Sequence, residues 1–221
     1  MKHGLDGIDF LEFRFSDEVL SDKYSDREKT AIQTRELIEI ESLGPDSTVL
    51  DIGANYGEVE KVLTPVGCKV HAFEPHPLFF SKLQDSYVDN PNISISNCAV
   101  WKTNGKKTFY FKRSASALNG GATLMSEKTN ITNLNLNVEV TCLDIFDLIT
   151  SIGKPVDVLK MDVEGAEYEI LQRLYESGAY KSVKSIYFED HSRKMPSENF
   201  HRLKANVLES YKNENISLYW W

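Results

Sequence analysis

The sequence has no long apolar run. No segment of the 221 residues approaches the roughly 18 consecutive apolar residues of a membrane-spanning helix, and the first residues lack the apolar core of a signal peptide. Cysteine is also scarce. Because Cys68, Cys98 and Cys142 are odd in number and far apart, they favour reduced thiols over a disulfide framework. We therefore expect a cytoplasmic protein with no membrane partner.

Basic residues are in deficit as well. The chain has 25 Lys and Arg against 33 Asp and Glu, which gives a formal net charge of −8. Nucleic acids and anionic membrane surfaces bind basic faces, so this charge argues against both as partners. A hydrophobic content of 41% is sufficient for a packed core. We expect one domain, with residues 1–46 as a helical extension and residues 47–221 as an α/β core.

The usual phosphate-binding loops are absent. The segment Thr48–Gly57 has the pattern of a strand, a glycine-containing turn and the start of a helix, where α/β proteins bind ligands. A dinucleotide fingerprint counted from Gly53 requires glycine at positions 55 and 58, but the chain has Asn55 and Glu58. No Gly-Lys-Ser/Thr follows, which excludes a P-loop. An NAD-dependent oxidoreductase is therefore the weaker alternative.

Two acidic residues indicate a different ligand. Glu74 ends the next apolar segment, where a carboxylate can accept hydrogen bonds from both hydroxyls of a ribose. Asp51, just before the glycine turn, is compatible with a cationic ligand but would repel a pyrophosphate. S-adenosylmethionine (SAM) has a ribose, a sulfonium and an amino-acid tail but no phosphate. We therefore expect SAM as the cofactor.

Strand-like and helix-like segments alternate from residue 48 onward. The predicted strands are 48–52, 69–74, 93–97, 106–111, 138–141, 156–162, 183–189 and 216–221. The predicted helices are 57–66, 77–87, 143–151, 166–176 and 197–211, preceded by a helix that the capping box Ser25/Glu28 opens. This alternation predicts an α/β fold, a doubly wound, mostly parallel sheet with helices on both faces. The first helix is expected to pack at the sheet edge or to form a lid.

Three motifs resemble one family. Asp51–Gly57 (DIGANYG), Phe73–Pro75 (FEP) and Leu159–Glu167 (LKMDVEGAE) are similar, in this order and spacing, to the FkbM family of SAM-dependent methyltransferases. The resemblance covers about Thr48 to His191. It implies a seven-stranded class I methyltransferase sheet with one antiparallel strand, and O-methylation of a hydroxyl on a sugar or secondary metabolite. Because one strand follows the last helix, we expect a truncated terminal hairpin and an edge available for a homodimer.

The predicted cofactor residues lie at the carboxyl ends of the first three strands. Glu74 is expected to hold the ribose. Asp51 is expected to orient the ammonium of the methionine tail, directly or through water. Further contacts to the tail and to the adenine edge are expected from Gly53, Ala54, Asn55, Gly57, Asn97, Cys98 and Ala99. The alternative is an ordinary strand-to-helix turn without a ligand.

The predicted catalytic residues lie at the ends of the predicted strands 156–162 and 183–189, or just after them. Lys160 lies in an apolar strand and needs an acidic partner, for which Asp162 and Glu164 are the candidates. Glu189 and His191 end the neighbouring strand, and His191 is a candidate general base. A metal site for Mg²⁺ or Mn²⁺ formed by Asp162, Glu189 and His191 is the less favoured alternative, because no spacing here is specific for a metal.

One further segment bears on the acceptor. The Ser-, Asn- and Gly-rich loop 112–136 is expected to gate a polar small-molecule or glycan acceptor, or to be a disordered hairpin tip. Glu167 is expected to cap the helix that it begins. The remaining alternative for the whole chain is a SAM-binding or interaction module without catalytic activity.

Overall fold

The computed structural model describes residues 11–12, 14–16, 22–112 and 120–221. One sheet of seven strands runs through the molecule in the order β1-β10-β9-β8-β2-β3-β4. Its strands are β1 (Leu11–Glu12), β2 (Thr48–Ile52), β3 (Lys69–Phe73), β4 (Ile93–Ser96), β8 (Val156–Met161), β9 (Val183–Phe188) and β10 (Leu218–Trp220). The helices are α1 (Asp26–Ile40), α2 (Glu58–Leu63), α3 (Pro77–Tyr87), α4 (Ile145–Ile152), α5 (Glu167–Glu176) and α6 (Glu198–Asn213). This is the predicted doubly wound α/β architecture.

Every pairing within the seven-stranded sheet is parallel. The expectation of one antiparallel strand in this sheet is therefore wrong. The chain reaches β10 through the crossover helix α6, and this kind of connection returns a strand in the parallel direction. On its outer side β10 pairs with β1, at Leu218 with Leu11 and at Tyr219 with Glu12. The described residues thus cover the edge of β10 that was expected to be open to a second copy.

A second, three-stranded sheet was not predicted as a unit. It contains β5 (Ala99–Trp101), β6 (Gly105–Tyr110) and β7 (Asn137–Asp144), in the order β5-β7-β6. β7 pairs antiparallel with β6 along six residues and parallel with β5 along three. β5 has only three residues, too few to show a periodic pattern in the sequence. This sheet supplies one wall of the cleft described below.

The residues of the central strands are almost all buried. All five residues of β2 and the last four of β8 are buried. Helix α1 packs on the sheet through the fully buried Leu37. The carboxylate of Glu41, which follows α1, accepts hydrogen bonds from Ser185 Oγ (2.8 Å) and Tyr187 Oη (2.7 Å). In the described ranges, no helix combines the length and the apolarity needed to cross a bilayer.

Gly53, in the turn after β2, lies against the turn that follows β8. Its φ of +88° lies in the left-handed region that favours glycine. A β-carbon on this residue would lie 2.0 Å from the carbonyl oxygen of Asp162. The N–H of Asp162 in turn donates to the carbonyl of Ile52 over 2.9 Å. The turn after β2 and the turn after β8 are therefore held against each other by backbone contact.

We expect Gly53→Ala to lower the free energy of unfolding by roughly 2–5 kcal/mol, because backbone strain and overpacking add at this position. The control is Gly44→Ala, whose added β-carbon meets no atom within 4 Å. The measurement is urea unfolding followed by circular dichroism. Equal loss of stability in the two variants would contradict the close-approach argument.

Candidate functional site

A cleft opens at the carboxyl ends of the central strands. Its lining comes from the ends of β2 and β3, from the segments that follow β2, β3 and β8, and from α3, β5, β6 and the segment 120–124. In parallel sheets these strand ends are where ligands bind. The cleft is therefore the candidate site for the cofactor and the acceptor.

Glu74 is the most constrained carboxylate in the cleft. It follows β3 and is 5% exposed. One oxygen accepts the N–H of Asn55 and the other accepts the N–H of His76, each over 2.7 Å. Burial raises the pKa of Glu74 to about 7, although the two backbone hydrogen bonds oppose this rise. The side chain is thus held rigidly at the cleft wall, and its charge changes near neutral pH.

Four of the predicted cofactor residues line the cleft, namely Gly53, Asn55, Glu74 and Ala99. The other five lie outside its lining. Asn97 is exposed and donates from Nδ2 to the carbonyl of Glu74 over 2.9 Å, so it supports the loop that carries Glu74. Cys98 is buried in the core, where burial and the nearby Cys142 raise its thiol pKa to about 11. The remaining residues are Asp51, Ala54 and Gly57, which are buried.

Two cleft residues each keep a buried polar atom without a hydrogen-bond partner among the described residues. These atoms are Asn55 Oδ1 and His76 Nε2. The Nδ1 of His76 accepts the N–H of Leu78, which leaves Nε2 as the protonated nitrogen. The cleft thus offers one unused acceptor and one unused donor, on either side of Glu74. Sequence reasoning assigned no role to His76, although it lies two residues after Glu74 at a strand end.

Aromatic and aliphatic side chains form the rest of the wall. Phe73 and Phe79 come from β3 and α3, whereas Val100 and Phe109 belong to the second sheet. Leu124 completes this surface. An apolar wall beside a carboxylate suits an adenine ring. The sequence pattern did not indicate these residues, because three of them reach the cleft only through pairing within the second sheet and its bridge to residue 123.

A buried ion pair lies beneath the glycine turn. Lys160 Nζ is 3.0 Å from Asp51 Oδ1, and both side chains are almost completely buried. The two residues are register partners on β8 and β2, so the expectation that Lys160 pairs with Asp162 or Glu164 is wrong. Burial alone would lower the pKa of Lys160, but the Asp51 carboxylate raises it. Burial and the Asp51 carboxylate raise the pKa of Glu60, also fully buried here, well above its usual range.

His191 stands at the centre of an acidic cluster. It is 2% exposed, and its Nδ1 lies 2.8 Å from Glu167 Oε1. Its Nε2 lies 3.1 Å from Glu164 Oε2, 3.3 Å from Glu189 Oε1 and 4.0 Å from Asp162 Oδ1. The predicted catalytic residues after β8 and β9 therefore do come together. Glu167, expected only as a helix cap, is a direct partner of the histidine.

The charges in this cluster change its predicted chemistry. Burial lowers the pKa of His191, but the hydrogen bond to Glu167 and the surrounding carboxylates raise it to about 9. This raised pKa disfavours His191 as the general base that the sequence suggested. Burial raises the pKa of Asp162, and burial together with Asp162 raises that of Glu189 to about 7. The carboxylates are better placed than the imidazole to accept a proton.

The described part of the predicted gating loop packs on the acidic cluster. Thr123 Oγ1 donates to the carbonyl of Glu164 over 2.8 Å, and the buried Lys128 forms an ion pair with the Glu164 carboxylate. Lys194 Nζ is 3.4 Å from the same carboxylate. Residues 113–119 of that loop lie outside the described residues.

This fold and this cleft define the class of the protein. A parallel α/β sheet with a glycine turn after β2 and a ribose-type carboxylate after β3 is the arrangement of class I SAM-dependent methyltransferases. The family model described as the methyltransferase FkbM domain matches residues 51–213, nearly three quarters of the chain. The protein therefore belongs to the FkbM methyltransferase family, and SAM is its cofactor.

Several solved structures are similar to this chain. Precorrin-6y C5,15-methyltransferase from Geobacter metallireducens is 15% identical with a TM-score of 0.41, covering 91% of this chain and 77% of its own. A SAM-dependent O-methyltransferase from Thermotoga maritima is 13% identical with a TM-score of 0.40, covering 87% and 54%. Geranyl diphosphate methyltransferase in complex with SAM is 10% identical with a TM-score of 0.38, covering 92% and 76%.

Likenesses this remote carry no information about the acceptor. Among curated proteins, none is similar enough in sequence to count as a relative. The family assignment therefore depends on the matched family model. The residues present also fit SAM, because the cleft combines Glu74, an apolar wall and two unused polar atoms.

We expect Lys160→Met to destabilise the protein by about 3–5 kcal/mol, because it leaves the Asp51 carboxylate buried without its cation. Adding Asp51→Asn to that variant should lower the free energy of unfolding by less than Asp51→Asn does in the wild type. The exposed pair Lys106–Glu139 provides the control, and Lys106→Met should cost under ~1 kcal/mol. A urea-unfolding double-mutant cycle measures this coupling, and additive losses would refute it.

Proposed function

We propose that the protein transfers the methyl group of SAM to a hydroxyl of a polar small molecule or glycan, with Asp162 accepting the hydroxyl proton. One observation carries this proposal. The cleft that contains Glu74 also contains Asp162 and Glu164, so a cofactor and an acidic, proton-accepting surface share one cavity. When bound, the cofactor supplies an electrophilic methyl group. Everything else depends on positioning and on removal of a proton.

The residues around Glu74 define the end of the cleft that suits the cofactor. Glu74 would accept the two ribose hydroxyls, since its carboxylate is already oriented by two backbone N–H groups. Asn55 Oδ1 is a free acceptor suited to the ammonium of the methionine tail. Gly53 leaves room for the ligand because it has no side chain. We assign Asp51 and Lys160 a positioning role beneath this turn.

The acceptor end is acidic. A hydroxyl must lose its proton as it accepts a methyl group, and a carboxylate with a raised pKa is a competent acceptor of that proton. His191, protonated at neutral pH, would hold Asp162 and Glu164 in place. Surrounding carboxylates disfavour an acceptor that carries phosphate or carboxylate groups near its reactive hydroxyl. A neutral, hydroxyl-rich acceptor such as a sugar fits best.

The affinity of S-adenosylhomocysteine should rise with pH through about 7, because only the ionised Glu74 accepts both ribose hydroxyls. Below that pH we expect a change of up to about tenfold per pH unit, and a plateau above it. Glu74→Gln should weaken binding by roughly 10–100-fold and flatten the profile. Calorimetric titration measures both effects, with the exposed Asp89→Asn as control. A pH-independent affinity in the wild type would contradict this role.

Asp162→Asn should reduce methyl transfer by about 10²–10⁴-fold while changing the affinity for S-adenosylhomocysteine only slightly. The measurement uses labelled SAM and a panel of sugars and hydroxylated small molecules, with the exposed Asp46→Asn as control. Cofactor binding without transfer to any acceptor would favour a non-catalytic SAM-binding module. Binding of NAD in place of SAM would exclude the proposed reaction.

A further inference from the structure

Ligand-type atoms converge around His191 from two neighbouring strand ends. Asp162 and Glu164 follow β8, and Glu189 follows β9. One atom each from Asp162, Glu164 and His191 lie within 4.8 Å of one another. Glu189 Oε1 is a further 3.3 Å neighbour of the imidazole Nε2. Two carboxylates and one ring nitrogen thus surround a common point, and the Glu189 carboxylate adjoins the same ring nitrogen.

Glu167, on the Nδ1 side of the ring, fixes the orientation of His191. Its Nδ1 donates to Glu167, whose carboxylate is fully buried and also accepts the N–H groups of Gly165 (3.0 Å) and Val163 (3.3 Å). The ring is therefore anchored through Nδ1, and Nε2 is the nitrogen turned toward the three carboxylates. A histidine that donates one N–H to a buried carboxylate and directs its other nitrogen at oxygen ligands is the usual arrangement around protein-bound metals.

The cationic side chains nearby leave part of this cluster uncompensated. Lys128 and Lys194 both contact Glu164 Oε2. Among the described residues, no lysine or arginine nitrogen lies within 4.0 Å of the carboxylate of Asp162 or of Glu189, and each faces only His191 at that distance. With Nδ1 committed to Glu167, Nε2 either carries a proton toward these oxygens or gives its lone pair to a cation that takes the place of that proton. The cluster therefore has a place for a positive ion.

We propose that Asp162, Glu164, Glu189 and His191 bind one divalent cation, of the class of Mg²⁺ or Mn²⁺. Three oxygen donors and one imidazole suit these ions, and Glu167 is the residue that fixes the imidazole ligand. The set differs from the one considered from the sequence by including Glu164. The proposal goes beyond the proposed function, since cation binding depends only on this cluster. Because Asp162 and Glu164 also line the cleft, the cation would lie where the acceptor hydroxyl is expected.

The test is a titration of the full-length, chelator-treated protein with Mn²⁺, without SAM, in which electron paramagnetic resonance detects the free ion. We expect saturable binding of one Mn²⁺ per chain, with Mg²⁺ as competitor. Glu164→Gln and Glu189→Gln should each weaken it by about tenfold or more, and Glu167→Gln by roughly 10–100-fold. The control is Glu139→Gln, an exposed carboxylate on β7 that should leave binding unchanged.

Circular dichroism melts identify any variant that fails to fold, and the half-buried Glu189 is the one whose substitution is best tolerated. Absence of saturable Mn²⁺ binding at 1 mM ion, or binding that all three variants leave unchanged, would overturn the proposal. Since no methyl acceptor or cofactor is present, the result is independent of the methyl-transfer assay. Methyl transfer that persists in chelator alongside Mn²⁺ binding would support a cation site that positions the acceptor without being essential.

Discussion

The contact between the turns that follow β2 and β8 is the constraint on which the site depends. The backbone at Gly53 lies so close to the carbonyl of Asp162 that no β-carbon fits, and the Asp162 N–H is bonded to Ile52. One turn contributes Gly53 and Asn55 to the cleft lining, and the other begins the acidic segment. Because both are backbone elements at the ends of largely buried strands, the distance between the proposed cofactor and acceptor positions is set by the sheet rather than by mobile side chains.

A buried ion pair lies beneath the turn that follows β2. The register of β2 and β8 places Asp51 beside Lys160, and burial together with Asp51 raises the pKa of the nearby Glu60. Above it, Glu74 is held by two backbone N–H groups and has a pKa near 7. Asp51, before the glycine turn, and Glu74, directly after β3, therefore have different roles. Asp51 stabilises the turn, and Glu74 faces the cleft.

The chemistry of His191 is decided by its neighbours. A lone histidine of ordinary pKa would be a general base, but Glu167 anchors one nitrogen and three carboxylates surround the other. This environment favours a positive charge at the ring, as a bound proton or a neighbouring cation. The proposed proton acceptors are then the carboxylates of Asp162 and Glu189, because burial raises their pKa values. One cluster thus connects the proposed methyl transfer to the proposed cation site.

Local patterns in the chain determined the order of strands and helices, the glycine turn at Gly53, the carboxylate at Glu74 and the family, because each depends on residues adjacent in sequence. Only the tertiary structure decided the second sheet, the parallel direction of β10, the partner of Lys160 and the pairing of Glu167 with His191. These features join segments far apart in the chain, and register and burial select among several chemically reasonable partners. Periodicity reveals which residues lie on one face of an element, but not which distant residue that face meets.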